Sequence, residues 1–356
     1  MSHALPSGVF FQSHAAERAL LRTPPQRMWL VGLLLALVAL PWAANDYWLG
    51  VLTLAGVTLV AVLGLQITVG MAGQLNLGQS AFVGVGAFVA AALAAQGFSL
   101  WVCIPAAAFA AGAVSIVFGL PAVRIKGFYL ALTTIAAQIM FPIVMIRLPE
   151  RWFGGTAGLP VDPPLVFGVA ADTPRAIYWL VLAVAAIAFL GAANLQRSRI
   201  GRAFRAMHDN DIASSVIGVD LARTKILAFF AGAFFAGLSG ALYAYYVRYV
   251  STEQFTLWLS VWYVGMLIVG GLHKPLGAVL GVLAITALHE GVHATGALVL
   301  AGLSGIANVS GGTVFALTNV VLGGVIVLML LFEPLGLQRR WALLKAAYRI
   351  WPYPRG

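Results

Sequence analysis

The sequence predicts an all-α protein, a polytopic transmembrane helical bundle of about ten spans, on three observations. First, 61% of the 356 residues are hydrophobic and only 9% are charged, whereas about a quarter of the residues in soluble domains are charged. Second, the apolar residues form long runs separated by short polar breaks, as expected when lipid is the solvent. Third, the 39 glycines suit close helix–helix approach in a bilayer. Helices are favoured over a barrel because the runs are too long and uniform for barrel strands.

Ten apolar segments form the predicted spans, and several approach the ~20 residues that cross the hydrocarbon core. They are Met28–Ala44, Tyr47–Val69, Gly78–Gln96, Leu100–Val123, Gly127–Ile146, Ala176–Gln196, Thr224–Val247, Leu257–Leu272, Pro275–Leu298 and Thr313–Phe332. The first and eighth segments are short, and the third is rich in glycine. Counts of nine or eleven spans therefore stay open.

The basic residues test this arrangement, because lysine and arginine are retained on the cytoplasmic side of a membrane. With ten spans both termini face the cytoplasm, and 17 of the 21 basic residues fall in cytoplasmic segments. The remaining four, on the outside, are Arg147, Arg151, Arg175 and Arg248. The basic residues that give the chain its net charge of +10 are therefore expected to lie along the inner membrane face. Because this role accounts for the charge, nucleic acid is not expected as a partner.

The spans divide the chain into three parts and define two long loops. The parts are a cytoplasmic N-terminal segment (1–27), a transmembrane domain (28–332) and a cytoplasmic basic tail (333–356); the loops are a cytoplasmic one (197–223) and an external one (148–175). A cleaved signal peptide around Trp29–Leu40 is the alternative for the first span. Against it stand the unusually long leader and the loss of an even span count.

A polar, glycine-rich stretch precedes the third predicted span. Polar groups at membrane depth need partners or a water-lined cavity, and a helix that is broken there exposes backbone groups to a substrate. We therefore assign a set of amide and hydroxyl side chains to the substrate pathway. The set consists of Gln74, Asn76, Gln79, Ser80, Thr133, Thr134 and Gln138. The alternative is an ordinary cytoplasmic turn whose glycines only permit tight packing.

The loop 197–223 combines basic charge with an amphipathic pattern. Four apolar residues follow i, i+3, i+4, i+7 spacing, which predicts a short amphipathic helix. They are Ile200, Ala203, Phe204 and Met207. Asp209, Asn210 or Asp211 is placed to cap a second helical turn that ends at Gly218. Such a loop suits the docking of a partner, and a basic loop that only sets topology is the alternative.

This loop resembles the coupling loop, or EAA motif, of ABC-importer permeases, in the form found in the branched-chain amino-acid permease family. The matching positions are Gly201, Arg202, Ala203, Ala206, Asn210, Ala213 and Gly218, and the departures are His208, Asp211 and Ser214. Other stretches resemble family motifs in the same order, at 73–88, 127–134, 154–159, 225–243, 270–272 and 334–337. The resemblance covers roughly residues 45–340, and the chain is more similar to the M-type (LivM-like) subunit than to the shorter H-type.

The resemblance implies the permease subunit of an ATP-driven importer for branched-chain amino acids, in a prokaryotic inner membrane. Urea, short amides and other small organic solutes are the alternative cargoes. The implied partners are two ATPase subunits, an H-type permease or a second copy of this chain, and an external substrate-binding protein. The ATPases are expected at Gly201, Arg202, Ala203, Arg205, Ala206, Asp209, Asn210, Asp211, Ala213 and Gly218, and the binding protein at Gly154, Gly155, Thr156 and Gly158.

Energy for transport is expected to come from the partner subunits, with an ion gradient as the alternative. That alternative has thin support, because Glu290 is the one acidic residue inside a predicted span. The sequence contains no G-x-x-x-x-G-K-[ST] phosphate loop, the device that cradles the phosphates of ATP. ATP and Mg²⁺ are therefore expected on the ATPases, with no cofactor on this chain. The chain is expected to be a transport subunit and not an enzyme.

One motif indicates another class of protein. Residues His289-Glu290-Gly291-Val292-His293 match H-E-x-x-H, which on a helix places two zinc ligands beside a general base, as in metalloproteases. A catalytic zinc needs a third protein ligand. Downstream of His293 the sequence has no Asp or His and only Glu333, so we assign no metal site and keep an intramembrane zinc metalloprotease as the alternative.

Overall fold

The computed structural model describes residues 24–125, 127–166, 169–170, 172–303, 311–333 and 335–350. Helices make up most of this part of the chain, and its strands are two-residue segments. The predicted all-α class is therefore confirmed. The predicted N-terminal segment (1–27) lies mostly outside the described residues, as do the last six residues of the predicted tail.

The helices are α1 (Pro24–Ala43), α2 (Asp46–Leu65), α3 (Gln79–Ala95), α4 (Leu100–Arg124), α5 (Phe128–Arg147), α6 (Glu150–Phe153), α7 (Pro174–Arg197), α8 (Arg199–Asp209), α9 (Asp211–Val216), α10 (Leu221–Val247), α11 (Leu257–Gly270), α12 (Pro275–Leu303), α13 (Gly311–Phe332) and α14 (Leu337–Ile350). α2 continues into a π-helical turn (Gln66–Met71), and a 3₁₀ turn (Thr252–Gln254) precedes α11. Strand β1 (Leu159–Pro160) pairs with β4 (Tyr249–Val250), and β2 (Leu165–Val166) pairs with β3 (Val169–Ala170), both antiparallel.

Each of the ten predicted apolar segments falls on a helix, but the count of about ten spans is not confirmed. Six stretches of the described chain are long and apolar enough to cross a membrane: Asp46–Met71, Leu100–Arg124, Phe128–Arg147, Pro174–Arg197, Leu221–Val247 and Pro275–Thr295. A seventh results if α13 and α14, which are bent by 54°, form one span. α3 and α11 have 17 and 14 residues. At 1.5 Å per residue they reach only ~26 Å and ~21 Å of the ~30 Å hydrocarbon core.

Helix α10 lies at the centre of the bundle and packs against α2, α3 and α4. Glycines let these backbones approach closely. A Cβ on Gly86 of α3 would lie 2.5 Å from the Gly237 Cα, and a Cβ on Gly237 would lie 2.6 Å from the Ala107 carbonyl oxygen of α4. Gly240 meets the Val83 carbonyl more closely still. Because lipid supplies no hydrophobic drive between helices, such small-residue packing holds the bundle together.

The outward faces of the long helices are apolar. Phe109 and Val117 of α4, Ile143 of α5 and Ile187 of α7 are all more than half exposed. A water-soluble monomer rarely exposes large contiguous apolar patches. These apolar faces and the six stretches long enough to cross a membrane indicate a multi-pass membrane protein whose outer surface contacts lipid.

Candidate functional site

The helix predicted to break before the third span is interrupted between the π turn and α3. Residues 72–78 are not helical, and Gly73 has a φ of +67°, a left-handed value that favours glycine. Side chains replace the missing helical hydrogen bonds in this stretch, which we name the break. The Leu77 amide donates to Thr134 Oγ1 of α5 at 3.0 Å, and the Gly78 amide donates to Asn76 Oδ1 at 3.0 Å.

The Gln138 side chain joins three elements at the start of α3. Its Oε1 accepts from the Ala81 amide at 2.8 Å, and its Nε2 donates to the Phe255 carbonyl at 2.7 Å. The side chain is 3% exposed. The amide thus connects α5 to the N-terminus of α3 and to the segment before α11.

Hydroxyl groups complete this buried polar network. The Ser80 hydroxyl lies 2.7 Å from the Thr256 carbonyl and 2.9 Å from Gln138 Oε1, either of which accepts its proton. The Ser80 amide donates to the Ser260 hydroxyl at 2.9 Å. Every residue of this cluster is neutral, so it supplies dipoles and no net charge.

Gln79 connects the break to α2. Its Nε2 donates to the Ala61 carbonyl at 2.9 Å, and its Oε1 accepts from Asn76 Nδ2 at 3.0 Å. Both side chains are almost fully buried. The network therefore reaches from α2 through the break to α5 and α11.

The structure brings five of the seven predicted pathway residues together in this network: Asn76, Gln79, Ser80, Thr134 and Gln138. Gln74 lies at the N-terminal end of the break, where its Nε2 donates to the Ala72 carbonyl at 3.0 Å. The Thr133 hydroxyl bonds only within α5, to the Tyr129 and Leu130 carbonyls. The assignment of all seven to the substrate pathway stays a prediction.

Sequence reasoning missed two residues of this region. Ser260 bonds to the start of α3, and Gln66, in the π turn, donates from Nε2 to the Leu272 carbonyl. Gln66 Oε1 is buried and, within the described residues, has no hydrogen-bond partner. The sequence does contain a signal for both residues. Each is an isolated polar residue in an apolar run, and polar groups at membrane depth need hydrogen-bond partners.

The loop 197–223, which was predicted to be cytoplasmic, folds into two capped helices, α8 and α9. The Ser198 hydroxyl accepts from the Gly201 amide at 3.1 Å and caps α8. Asn210 Oδ1 accepts from the Ala213 amide at 3.0 Å and caps α9, as predicted for one of three neighbouring residues. Gly218, after α9, has a φ of +90°, so the helical unit ends where the sequence predicted.

Helix α8 buries most of its large apolar side chains, whereas α9 exposes its own. Phe204 and Met207 of α8 are buried against the bundle, as the predicted amphipathic pattern requires, whereas Ile200 of that pattern is exposed. In α9 and just after it, Ile212 is 71% exposed, Val216 82% and Ile217 75%. We name these three residues the α9 apolar patch.

Most of the remaining loop residues assigned to ATPase contact lie on the preceding helix α8. Arg202 and Arg205 are exposed, and they donate to the Arg197 and Gln196 carbonyls at 3.1 Å and 3.2 Å. Gly201 is buried, and a Cβ there would meet the Leu195 carbonyl oxygen. Ala203, Ala206 and Asp211 are partly buried, and Asp209 is exposed.

A polar cleft of about 520 Å³ is lined by residues of both the loop and the break. It is lined by Ala72, Gly73, Gln74, Gly127, Met207, His208, Asp209, Asn210, Asp211 and Lys225. Lys225 is 2% exposed, and its ammonium group donates to the Ala122 carbonyl at 2.8 Å. Two motifs that are far apart in sequence thus face each other across one cleft.

The four residues predicted to contact an external binding protein form a compact turn. Gly154, Gly155 and Gly158 all have positive φ angles, and Thr156 between them is exposed. The turn is held against the end of α10, because β1 pairs with β4 and the Tyr249 hydroxyl donates to the Ala157 carbonyl. Its role in docking stays a prediction.

The H-E-x-x-H residues lie on α12, with the His289 and His293 rings 4.5 Å apart between centroids. The Glu290 carboxylate accepts a hydrogen bond from the Tyr47 hydroxyl of α2 and lies 3.6 Å from His289 Nδ1. Nowhere in the described residues do three or more His, Cys, Asp or Glu side chains form a group able to hold a metal ion. The carboxylate therefore serves a contact between α2 and α12.

Known proteins resemble the chain over most of its length. The family model described as "Branched-chain amino acid transport system / permease component" matches residues 47–330. The "High-affinity branched-chain amino acid transport system permease protein LivM" of Escherichia coli (strain K12) is 26% identical over 339 residues, which cover 88% of this chain and 75% of the relative. The protein of the same description from Salmonella typhimurium (strain LT2) is 25% identical over 339 residues, with the same coverage.

A more distant organism supplies a partial match. The "Probable branched-chain amino acid transport permease protein LivM" of Methanocaldococcus jannaschii is 27% identical over 173 residues, which cover 48% of this chain and 49% of the relative. No solved structure matches the chain.

Proposed function

The chain belongs to the family of branched-chain amino acid transport permeases, and on this premise we propose that it is the membrane-spanning subunit of an ATP-driven importer that moves branched-chain amino acids into the cell. The observation that carries the proposal is the family match over residues 47–330. It spans both the break and the α8–α9 loop. The chain is a transporter subunit, and the ATP and Mg²⁺ that power it are held by partner chains.

The α9 apolar patch is the proposed contact for those partner chains. The three large apolar side chains on and just after α9 are more than 70% exposed, which is costly in water and suits an apolar pocket in another protein. The exposed basic residues Arg202 and Arg205 lie on the preceding helix α8. Binding of ATP would move the docked subunits, and α9 would pass that motion to the bundle.

The rest of the assembly follows from the same premise. Two ATPase subunits would dock on the cytoplasmic loops of two permeases, this chain and an H-type relative or a second copy. An external binding protein would deliver the solute at the turn 154–158. Both termini would face the cytoplasm of a prokaryotic cell, because this orientation places most basic residues inside.

The cargo assignment is supported by the names of the relatives and by the buried polar network. That network carries amides and hydroxyls without net charge, which suits a small neutral or zwitterionic solute. Urea, short amides and other small organic solutes are the alternative cargoes, since amides and hydroxyls hydrogen-bond these equally well.

Reconstitution tests the function directly. The permease, its partner permease, both ATPases and the binding protein would be placed in liposomes, and the uptake of radiolabelled leucine, isoleucine and valine measured with and without ATP. We expect ATP-dependent uptake that unlabelled valine inhibits and urea or acetamide does not. Inhibition by urea or acetamide alone would transfer the proposal to the alternative cargoes, and uptake independent of ATP would refute the importer.

A second experiment tests the docking surface. Alanine at both Ile212 and Val216 removes most of the exposed apolar area of α9, so we expect roughly 10-fold less ATPase to co-purify with the permease. Leu227→Ala is the control, because Leu227 is 45% exposed but lies on α10 outside the loop. Equal ATPase recovery from the double variant and the control would contradict the docking assignment.

The zinc metalloprotease is the alternative from another class. Its support is the H-E-x-x-H spacing, whereas Glu290 is engaged by Tyr47 and the family match is to permeases. Proteolytic activity of the purified protein, together with one bound zinc ion per chain, would favour the metalloprotease instead.

A further inference from the structure

The imidazole of His208 lies against Gly73, so the cytoplasmic loop touches the break directly. A Cβ on Gly73 would lie 3.0 Å from His208 Cγ, 3.2 Å from Nδ1 and 3.3 Å from Cδ2. The ring therefore occupies the space that a side chain at position 73 would need. Both residues border the cleft between the loop and the break.

Gly73 is placed where a displacement would spread in both directions along the chain. On its N-terminal side lies the π turn, and π turns inside helices are rare and often found at functional sites. Helix α8 packs against this turn as well. On its C-terminal side, five residues lead to α3, whose first residues carry the bonds to Gln138 and Ser260.

His208 is placed to follow the motion of α9. It stands two residues before Asn210, whose side chain caps α9, and Met207 beside it is buried against the bundle. His208 lies on α8, which contacts α9, so a displacement of α9 that moves α8 with it changes the contact between the imidazole and Gly73. Packed contacts transmit such shifts because they have few alternative arrangements.

We propose that His208 is a positioning residue of the transport cycle, which carries displacement of α9 through its contact with Gly73 to the break that precedes α3. The inference rests on the proposed function, since the docked ATPases supply the displacement. His208 is one of the positions at which the loop departs from the family pattern, so the pattern does not mark it.

The test measures leucine imported per ATP hydrolysed by the reconstituted complex. We expect His208→Ala to retain ATP hydrolysis and to lower this ratio roughly 3- to 10-fold. Gly73→Ala should lower it too, because its methyl group meets the imidazole. In the double variant the ring is gone, so the combined loss should be smaller than the product of the two single losses.

Gly97→Ala is the matched control for backbone strain. Gly97 has a φ of +82°, and nothing lies within 4 Å of its added Cβ, so we expect the wild-type ratio. A purely structural role for His208 would lower yield and both rates in parallel and leave the ratio unchanged.

Three results would overturn the inference: a wild-type ratio in His208→Ala, single losses that multiply in the double variant, or an equal loss in Gly97→Ala. If the wild-type complex imports leucine while His208→Ala keeps its ratio, only this inference fails. If the wild-type complex imports no branched-chain amino acid, the proposed function fails and takes the inference with it.

Discussion

Replacing Gln138 with leucine should destabilise the bundle far more than most single substitutions in an apolar helix. The change removes the acceptor for the Ala81 amide and the donor to the Phe255 carbonyl. Both lie in a buried region, and each buried polar group left without a partner costs about 1–3 kcal/mol. Two such groups give a loss of about 2–6 kcal/mol in the free energy of unfolding, slightly offset by the apolar leucine side chain.

The assay is an unfolding titration of the purified permease in mixed micelles with increasing SDS, followed by circular dichroism. Thr133→Val on the same helix is the control, because its hydroxyl bonds only to carbonyls of α5. We expect the control to stay within about 0.5 kcal/mol of the wild type. A loss below 1 kcal/mol for Gln138→Leu, or equal losses for both variants, would refute the account of the polar network.

Three further outcomes follow from the contacts. Gly86→Ala should lower the free energy of unfolding by about 1–3 kcal/mol, because the added methyl group meets the α10 backbone. Gly191→Ala is its control and should leave this free energy unchanged, since its Cβ would come no nearer than 3.6 Å to a neighbour. Equal losses for the two variants in the same SDS titration would contradict the packing argument. Asn210→Ala removes the cap of α9 and should raise amide hydrogen exchange in α9 about 5-fold, for a cap worth ~1 kcal/mol; unchanged exchange argues against the cap. Alanine at both His289 and His293 should leave import rates unchanged, and loss of import together with loss of bound zinc would restore the metal site.

Local pattern was enough to locate the break and the helical loop 197–223. Glycine and amide residues between apolar runs mark the break, because an apolar span tolerates such residues only where the helix ends or packs closely. Apolar spacing and a capping residue mark α8 and α9, and both are present. Ile200 was assigned to the buried face but is exposed, because α8 meets the bundle mainly through Phe204 and Met207.

The span count shows where pattern reasoning stops. Each predicted apolar segment is helical, yet α3 and α11 are shorter than the hydrocarbon core requires. Hydropathy shows that a segment is apolar. It does not distinguish a helix that crosses the membrane from a shorter helix buried among other helices, because both are equally apolar. Length, helix ends and neighbours decide between these cases, and they depend on the folded arrangement.

By itself, the sequence determined the helical membrane bundle, the family and the capped loop 197–223, since these depend on residue type and short-range spacing. Only the tertiary structure decided that Gln138 reaches a carbonyl 117 residues away and that the His208 ring covers Gly73. Such contacts arise from the crossing of helices around α10, whose glycines set how closely the backbones approach. The periodicity of the sequence does not show which helices contact one another, because those contacts depend on how the helices pack in three dimensions.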